Sequence, residues 1–315
     1  MSPRQEKSLN EGTAGLSFAM LKAKDRQWEA LWGFLFILPT YLGFAIFILG
    51  PLIAVAGISL TKFDVLGGTE FLGLANYQNM LGDTRLRTVY ANTFFFTIFA
   101  VIFNVGIGLA LAVLLNRRMP NVLRNFFRSV YFFPLLVAHT YVAVIWQFLY
   151  QRDTGVINYY LSLLGIGPIS WLASPNWVLP SVIIMDVWKN TGFAMLIFLA
   201  GLQNIPRDYY EAARIDGANT RQLFLKITLP LLSPTIFFVL VIFMIGAIQV
   251  FDTIIVLTGG GPGDASRSVV MYIYEQAFQK FDLGYASTIA MTLFAVILVL
   301  TLLQFWFGRR WVHYE

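Results

Sequence analysis

Residues 90–115 read Tyr90-Ala-Asn-Thr-Phe-Phe-Phe-Thr-Ile-Phe-Ala-Val-Ile-Phe-Asn-Val-Gly-Ile-Gly-Leu-Ala-Leu-Ala-Val-Leu-Leu115, without a single charged side chain. A helix that crosses the hydrocarbon core of a bilayer needs about 20 apolar residues, and this stretch supplies more than that. Five further stretches have the same character, near 31–58, 127–150, 178–202, 232–257 and 286–308. Pro39, Pro51, Pro134 and Pro180 fall in or beside them. Packed membrane helices tolerate proline when neighbouring groups satisfy the freed carbonyls. Across all 315 residues, 57% are hydrophobic and 12% charged, with mean hydropathy +0.67. A soluble domain carries about 25% charged residues, so a water-exposed fold is excluded. The expectation is an all-α membrane protein with six transmembrane helices.

Lysine and arginine set the orientation. Arg4, Lys7, Lys22, Lys24, Arg26, Arg117, Arg118, Arg124, Arg128, Arg207, Arg214, Arg221, Lys226, Arg309 and Arg310 fall on one side, fifteen in all. The other side holds Lys62, Arg85, Arg87, Arg152, Arg267 and Lys280, six in all, while Lys189 lies inside a predicted span. Basic residues accumulate on the cytoplasmic side. Both termini and the 203–231 loop are therefore expected in the cytoplasm of a multi-pass protein. The same rule explains the net charge of +5 and removes the need for a nucleic-acid partner.

The chain holds no cysteine, and its two histidines, His139 and His313, are far apart in sequence. Thiolate metal sites, disulfides and cysteine nucleophiles are excluded, and no metal site is expected. The first apolar run is too long for a cleaved signal peptide and no small-residue cleavage site follows it; it reads as a retained first transmembrane helix. The organisation expected is a poorly ordered cytoplasmic tail over 1–25, the first transmembrane helix in 26–60, a periplasmic loop over 61–89, a core over 90–310, and a cytoplasmic end at 311–315. A short interfacial helix is expected at 156–164. Trp28, Trp32, Trp171, Trp177, Trp306 and Trp311 are expected to form an aromatic belt. His139 is expected to serve helix packing.

Between the fourth and fifth spans runs Asn204-Ile-Pro-Arg-Asp-Tyr-Tyr-Glu-Ala-Ala-Arg-Ile-Asp-Gly-Ala-Asn-Thr-Arg-Gln-Leu-Phe-Leu-Lys-Ile-Thr-Leu-Pro230. Pro206 suits a first helical position and Asp208 the first turn. Gly217 can take the left-handed conformation that ends a helix. Asn219 or Thr220 can cap a second helix, which is expected to stop before Pro230. The product is a two-helix element with small residues on one face and a carboxylate at Glu211. Small side chains permit close backbone approach, and a glutamate can pair with a partner arginine. The same features also fit an ordinary solvated connection.

This segment resembles the signature of ABC-importer permeases: Glu-Ala-Ala, three residues, Gly, nine residues, Ile-x-Leu-Pro. Glu211, Ala212, Ala213, Gly217, Ile227, Leu229 and Pro230 match it in type and spacing. Asp216-Gly217-Ala218 is similar to the carbohydrate branch. Phe251-Asp-Thr-Ile-Ile-Val-Leu-Thr-Gly-Gly-Gly-Pro262 resembles the first of the two paired permease subunits in maltose-type and glycerol-3-phosphate-type importers. Asp186-Val-Trp-Lys-Asn190 and Gly201-Leu-Gln-Asn-Ile-Pro206 are similar to the same family's fourth core region.

The resemblance implies a type I ABC importer permease: a MetI-like core of five helices plus one N-terminal helix, in a bacterial or archaeal cytoplasmic (inner) membrane. It implies that the seven signature residues couple to an ATPase subunit. It also implies a second homologous permease subunit, two ATPase subunits and an extracytoplasmic solute-binding protein, with lipid around the spans. No cofactor is expected on this chain, ATP and Mg²⁺ residing on the ATPase. Gly259-Gly260-Gly261-Pro262-Gly263 lacks the Lys-Ser/Thr ending of a phosphate loop, so the chain is not expected to be an enzyme.

Carried over by position, the solute contacts fall at Asp186, Asn190, Phe193, Gly246, Ala247 and Val250. Lys189, Gln249 and Asp252 join them as polar groups inside spans, which are costly and so carry a functional reading by default. Asp186 and Lys189, three apart, can instead neutralise each other. With one lysine in the spans, a neutral sugar, oligosaccharide or polyol is the expected solute, glycerol phosphate being the alternative. An ion-coupled carrier using Asp186, Asp252 and His139 is a further alternative, and it leaves the Glu211–Pro230 signature without a role.

Overall fold

The computed structural model describes residues 28–29, 31–64, 68–117 and 119–312. The tail at 1–25, Arg26, Arg118 and residues 313–315 with His313 lie outside the described residues, as do the expectations placed on them. The chain divides into two units, residues 1–57 and 58–315. In the first, the apolar run forms helix α1 (Leu31–Ile58), which reaches the boundary. Within it a wide turn, Ala45–Leu49, closes with the Gly50 N–H donating to the Ala45 carbonyl, one residue before Pro51. Proline lacks an N–H and its ring crowds the carbonyl four residues back. A turn with one extra residue relieves that crowding without ending the helix.

In the second unit a hairpin comes first, β1 (Thr61–Asp64) and β2 (Gly68–Phe71), antiparallel with Thr61 opposite Phe71. The helices follow in order: α2 (Ala75–Gly82), α3 (Thr84–Leu115), α4 (Asn121–Leu136), α5 (His139–Leu149), α6 (Val156–Leu163), α7 (Pro175–Asn204) and α8 (Arg207–Ile215). Then come α9 (Thr220–Ile248), α10 (Asp252–Leu257), α11 (Val269–Tyr274) and α12 (Leu283–Trp311). Among the described residues, α1, α3, α7, α9 and α12 are long and apolar enough to span a membrane, and the bent pair α4–α5, counted as one span, makes a sixth.

The bundle is organised around α3 lying along α7. A β-carbon at Gly108 of α3 would sit 2.6 Å from that of Ala194 on α7, so only glycine allows this approach. Small residues let membrane helices gain contact where water supplies no driving force between them. At Gly192 a β-carbon would run into the Tyr131 carbonyl of α4. Ala112, Leu115, Ala194, Met195, Phe198, Leu199 and Leu202 form one buried cluster between α3 and α7.

Several sequence expectations change. The third span is not one helix over 127–150: α4 and α5 meet at an angle of 100° at Val137–Ala138, both extended. The fifth does not run through 257, because α9 ends at Ile248 and the chain turns at Gln249–Phe251 before α10. Conversely, the helix expected to stop before Pro230 continues. A wide turn at Phe224–Thr228, closed by the Leu229 N–H on the Phe224 carbonyl, precedes that proline as it does Pro51. The 61–89 segment is the hairpin, α2 and the start of α3, which Asp83 caps by accepting from the Leu86 N–H at 3.0 Å. Trp171 is buried rather than in a belt, its Nε1–H donating to Asn158 Oδ1 at 2.9 Å.

Gly192→Ala is expected to lower stability by about 1–3 kcal/mol, the usual range for overpacking a filled contact. Gly106→Ala, whose added carbon meets nothing within 4 Å, should leave stability unchanged or raise it. Thermal unfolding midpoints in detergent, read by size-exclusion loss, check the pair.

Candidate functional site

The two interrupted spans border one cavity of about 310 Å³. Its wall carries Asp186, Asn190 and Phe193 from α7, and Gly246, Ala247, Gln249, Val250 and Asp252 from the end of α9 and the turn after it. The structure therefore brings together every expected solute-path residue except Lys189. It adds Asn104 and Phe96 of α3, Leu135 and His139 from the α4–α5 break, and Phe251. Three of these carried readable signals. Asn104 is a lone carboxamide deep in the charge-free stretch 90–115, and intramembrane polar groups point inward. His139 stands just past Pro134, where a break exposes polar backbone, and it lines the wall as well as opening α5. Phe251 follows a glycine-containing span end.

Asp186 is held by amides. Its Oδ2 accepts from Asn104 Nδ2 at 3.0 Å and its Oδ1 from Asn190 Nδ2 at 2.9 Å. Asn104, fully buried, also donates to the Ala100 carbonyl at 2.9 Å, and its oxygen accepts from Thr191 Oγ1 at 3.2 Å. A carboxylate presented this way keeps lone pairs for hydroxyl donors. Lys189 makes no hydrogen bond to it. Its Nζ turns the other way and donates to the carbonyls of Val137, Pro134 and Leu135 at 2.6, 3.2 and 3.5 Å. A flexible four-carbon stem reaches a set of carbonyl acceptors that i, i+3 spacing alone cannot reveal. The apolar side of the wall is aromatic, with Phe193 against Phe243 at 6.2 Å between ring centres.

The turn at 249–251 is held by bonds rather than left loose. The Gln249 and Val250 N–H groups return to the Gly246 and Ala247 carbonyls at 3.3 and 3.2 Å. Gln147 Nε2 donates to the Val256 carbonyl at 2.6 Å, and Ser268 Oγ to that of Val250 at 2.7 Å.

The ends of α3 carry two different devices. At its start Arg85 binds Asp264 through Nε at 2.7 Å and Nη2 at 3.0 Å, and reaches Glu275 through Nη1 at 2.5 Å. Arg267 closes the ring, with Nε on Asp264 at 2.5 Å and Nη1 on Glu275 at 2.7 Å. Arg85 holds the Asp264 carboxyl down to about 2 against the opposing effect of burial, with Arg267 adding to it. The sequence pass counted these arginines only as loop charge.

At its other end, Asn116 and Arg117 adjoin Tyr210 and Arg214 of α8. Gly217 ends α8 with φ +82°, a conformation other residues rarely take. Asn219, not Thr220, caps α9 in a reciprocal box with Gln222. Pro206 is the residue preceding α8, and Asp208 lies in its first turn. Glu211, Ala212 and Gly217 are exposed, while Ala213, Ile227, Leu229 and Pro230 are half-buried. Ile215 is 87% exposed, an apolar side chain presented at the tip. The Tyr210 hydroxyl and Thr228 Oγ1, 3.1 Å apart, tie this element to α9.

Residues 104–313 match the family described as the inner membrane component of binding-protein-dependent transport systems. The chain belongs to this family. The permease is 36% identical over 302 residues to the probable ABC transporter permease protein YesP of Bacillus subtilis, covering 94% of this chain and 96% of that one. It is 37% identical to the trehalose/maltose transport system permease protein MalF of Thermococcus litoralis, covering 92% and 97%. Among solved structures it is similar to a chain of a bacterial alginate ABC transporter, crystallised with an alginate pentasaccharide-bound periplasmic protein. That likeness has a TM-score of 0.80 and 26% identity over 92% of this permease and 96% of that chain. The permease is thus a transport subunit of an ABC system and not an enzyme.

Because Asp264 has a depressed pKa, the stability it contributes is complete above its ordinary value of 3.8 and is lost as pH falls toward about 2. Asp264→Asn should flatten the pH dependence of the unfolding midpoint across that window. An unchanged slope would mean that the ring contributes nothing to stability.

Proposed function

We propose that this permease forms half of the translocation path of an ATP-driven importer for a sugar, oligosaccharide or polyol. The observation that carries the reading is one cavity, at the meeting of two interrupted spans, that combines amide-held Asp186 with the aromatic rings of Phe193 and Phe251. Sugars present apolar ring faces and hydroxyl edges, and sites that bind such ligands pair apolar lining with a few placed polar groups. In this reading Asp186 and Asn190 take hydroxyls while Phe193 covers a ring face. Gly246, Ala247 and Val250 leave room for the ring, and Gln249 and Asp252 supply the far polar edge. The wall includes Asp186 and Asp252 and neither lysine nor arginine, which favours a neutral solute over glycerol phosphate. Asp186, Asp252 and His139 of the ion-coupled alternative also line this cavity, but that reading leaves the Glu211–Pro230 signature without a role.

The exposed element at Glu211–Gly217 is the coupling surface in this reading. Ala212 and Gly217 allow a partner's backbone to approach, Glu211 offers a charge for an arginine, and Ile227, Leu229 and Pro230 brace it with Ala213 from below. The partners are two ATPase subunits, which hold ATP and Mg²⁺, a second homologous permease and an extracytoplasmic solute-binding protein. The excess of basic residues on this side supports a reading with both termini and this element in the cytoplasm, the membrane being a bacterial or archaeal one. Closure of the ATPases then rocks the permease pair about the cavity. Residues 26–60 serve as the added first span and 90–310 as the core.

The test is co-purification with the ATPase subunit. Glu211→Ala should weaken its retention by about tenfold or more, as expected for truncating one partner of a buried charge pair. Gly217→Pro should abolish coupled hydrolysis, since proline holds φ near −65° and cannot replace +82°. Transport in proteoliposomes that persists without any ATPase would sink the importer reading. In the intact assembly, Asp186→Ala should raise the half-saturating concentration of a neutral oligosaccharide by about tenfold, leaving basal ATPase activity unchanged.

A further inference from the structure

Lys189 is 1% exposed and sits midway along α7. A buried ammonium group needs acceptors for its three N–H bonds. It finds them at Val137, Pro134 and Leu135, with Nζ–O distances of 2.6, 3.2 and 3.5 Å. In a continuous helix those carbonyls would accept from the N–H groups of residues 141, 138 and 139. The 100° bend at Val137–Ala138 removes those donors; the Val137 N–H returns to the Pro134 carbonyl at 3.3 Å, and the lysine supplies donors to all three carbonyls. Its charge also meets the negative end of the α4 dipole. Asp186, one turn earlier, is occupied by Asn104 and Asn190 and does not compete for the amine. One turn later, Gly192 lets the backbone of α4 settle against α7 at Tyr131. Two adjacent contacts therefore fix the end of α4 on α7.

The residues flanking the break, Leu135 and His139, both line the cavity. We propose that Lys189 is a positioning residue of that cavity: it closes the broken end of the third span and so keeps Leu135 and His139 in the wall, without touching solute itself. The geometry stands independently of the importer reading; only its consequence for the solute rests on that reading.

The chain contains no cysteine, so a single introduced thiol reports cleanly. In the assembled transporter, His139→Cys is labelled with a small membrane-impermeant methanethiosulfonate, alone and combined with Lys189→Met. Ile215→Cys on the exposed coupling element serves as a control for folding and assembly. Losing the donors should let the break relax and slow labelling at position 139 by about tenfold or more, a change that one unpaired buried carbonyl can cause. The rate at position 215 should stay constant. Lys189→Arg, which restores donors in another shape, should bring labelling back to within about threefold of the parent. If Lys189→Met labels position 139 at the parental rate with position 215 unchanged, the proposal is overturned. If the methionine variant does not reach the membrane, Lys189→Gln, with two N–H donors, carries the comparison: intermediate slowing supports the proposal and the parental rate overturns it. Loss of import with unaltered labelling counts against the pin alone. The expected labelling with no ATP-driven import counts against the importer reading alone.

Discussion

A helix interrupted inside an apolar bundle exposes carbonyl and N–H groups that water does not reach, and each unpaired group costs several kcal/mol. That constraint governs this permease more than any other, because its candidate cavity is made by interrupting two spans. The α4–α5 break is closed by Lys189, whose amine meets three carbonyls of the broken end. The turn after α9 is closed by its own backbone bonds and by Ser268 on the Val250 carbonyl, while Gln147 holds the Val256 carbonyl at the end of α10. Where proline would force a further break, at Pro51 and Pro230, a wide turn one residue earlier keeps the helix running.

The breaks and the long helices divide the labour. The α3–α7 pair, brought close by Gly108, is the uninterrupted part, and Gly192 seats α4 against it. It also carries the polar frame of the cavity, since Asn104 comes from one helix and Asp186, Asn190 and Thr191 from the other. The four-membered ring of Arg85, Asp264, Arg267 and Glu275 anchors the segment after α10 to the start of α3. The two-helix element with Gly217 sits by the other end, bonded to α9 through Tyr210. That element runs directly into α9, the same helix whose far end forms part of the cavity wall.

Much of this was legible in the sequence, and for identifiable reasons. Bilayer thickness converts a run of apolar residues into a span, so the six hydrophobic segments stood out whatever they pack against. The two-helix element was readable because its determinants are local: a first-turn Asp208, a left-handed Gly217 and a cap at Asn219 act within a few residues of chain. Eight of the nine candidate path residues lie around one cavity: six were carried over by position from the family resemblance, and Gln249 and Asp252 are polar groups that turn away from lipid.

Only the tertiary structure decided how the spans are broken and what each polar group faces. Spacing along α7 pairs Asp186 with Lys189; the folded chain separates them, because Asn104 from α3 and the carbonyls at the end of α4 are better partners than either is for the other. The same holds for Trp171, drawn from an expected belt to Asn158, and for Arg85, whose acidic partners lie at positions 264 and 275. Hydrophobic length and helix capping are written into neighbouring residues and survive without a fold. The partner of a buried charge or a broken helix end is chosen by groups distant in the chain, and exists only once those groups have been packed together.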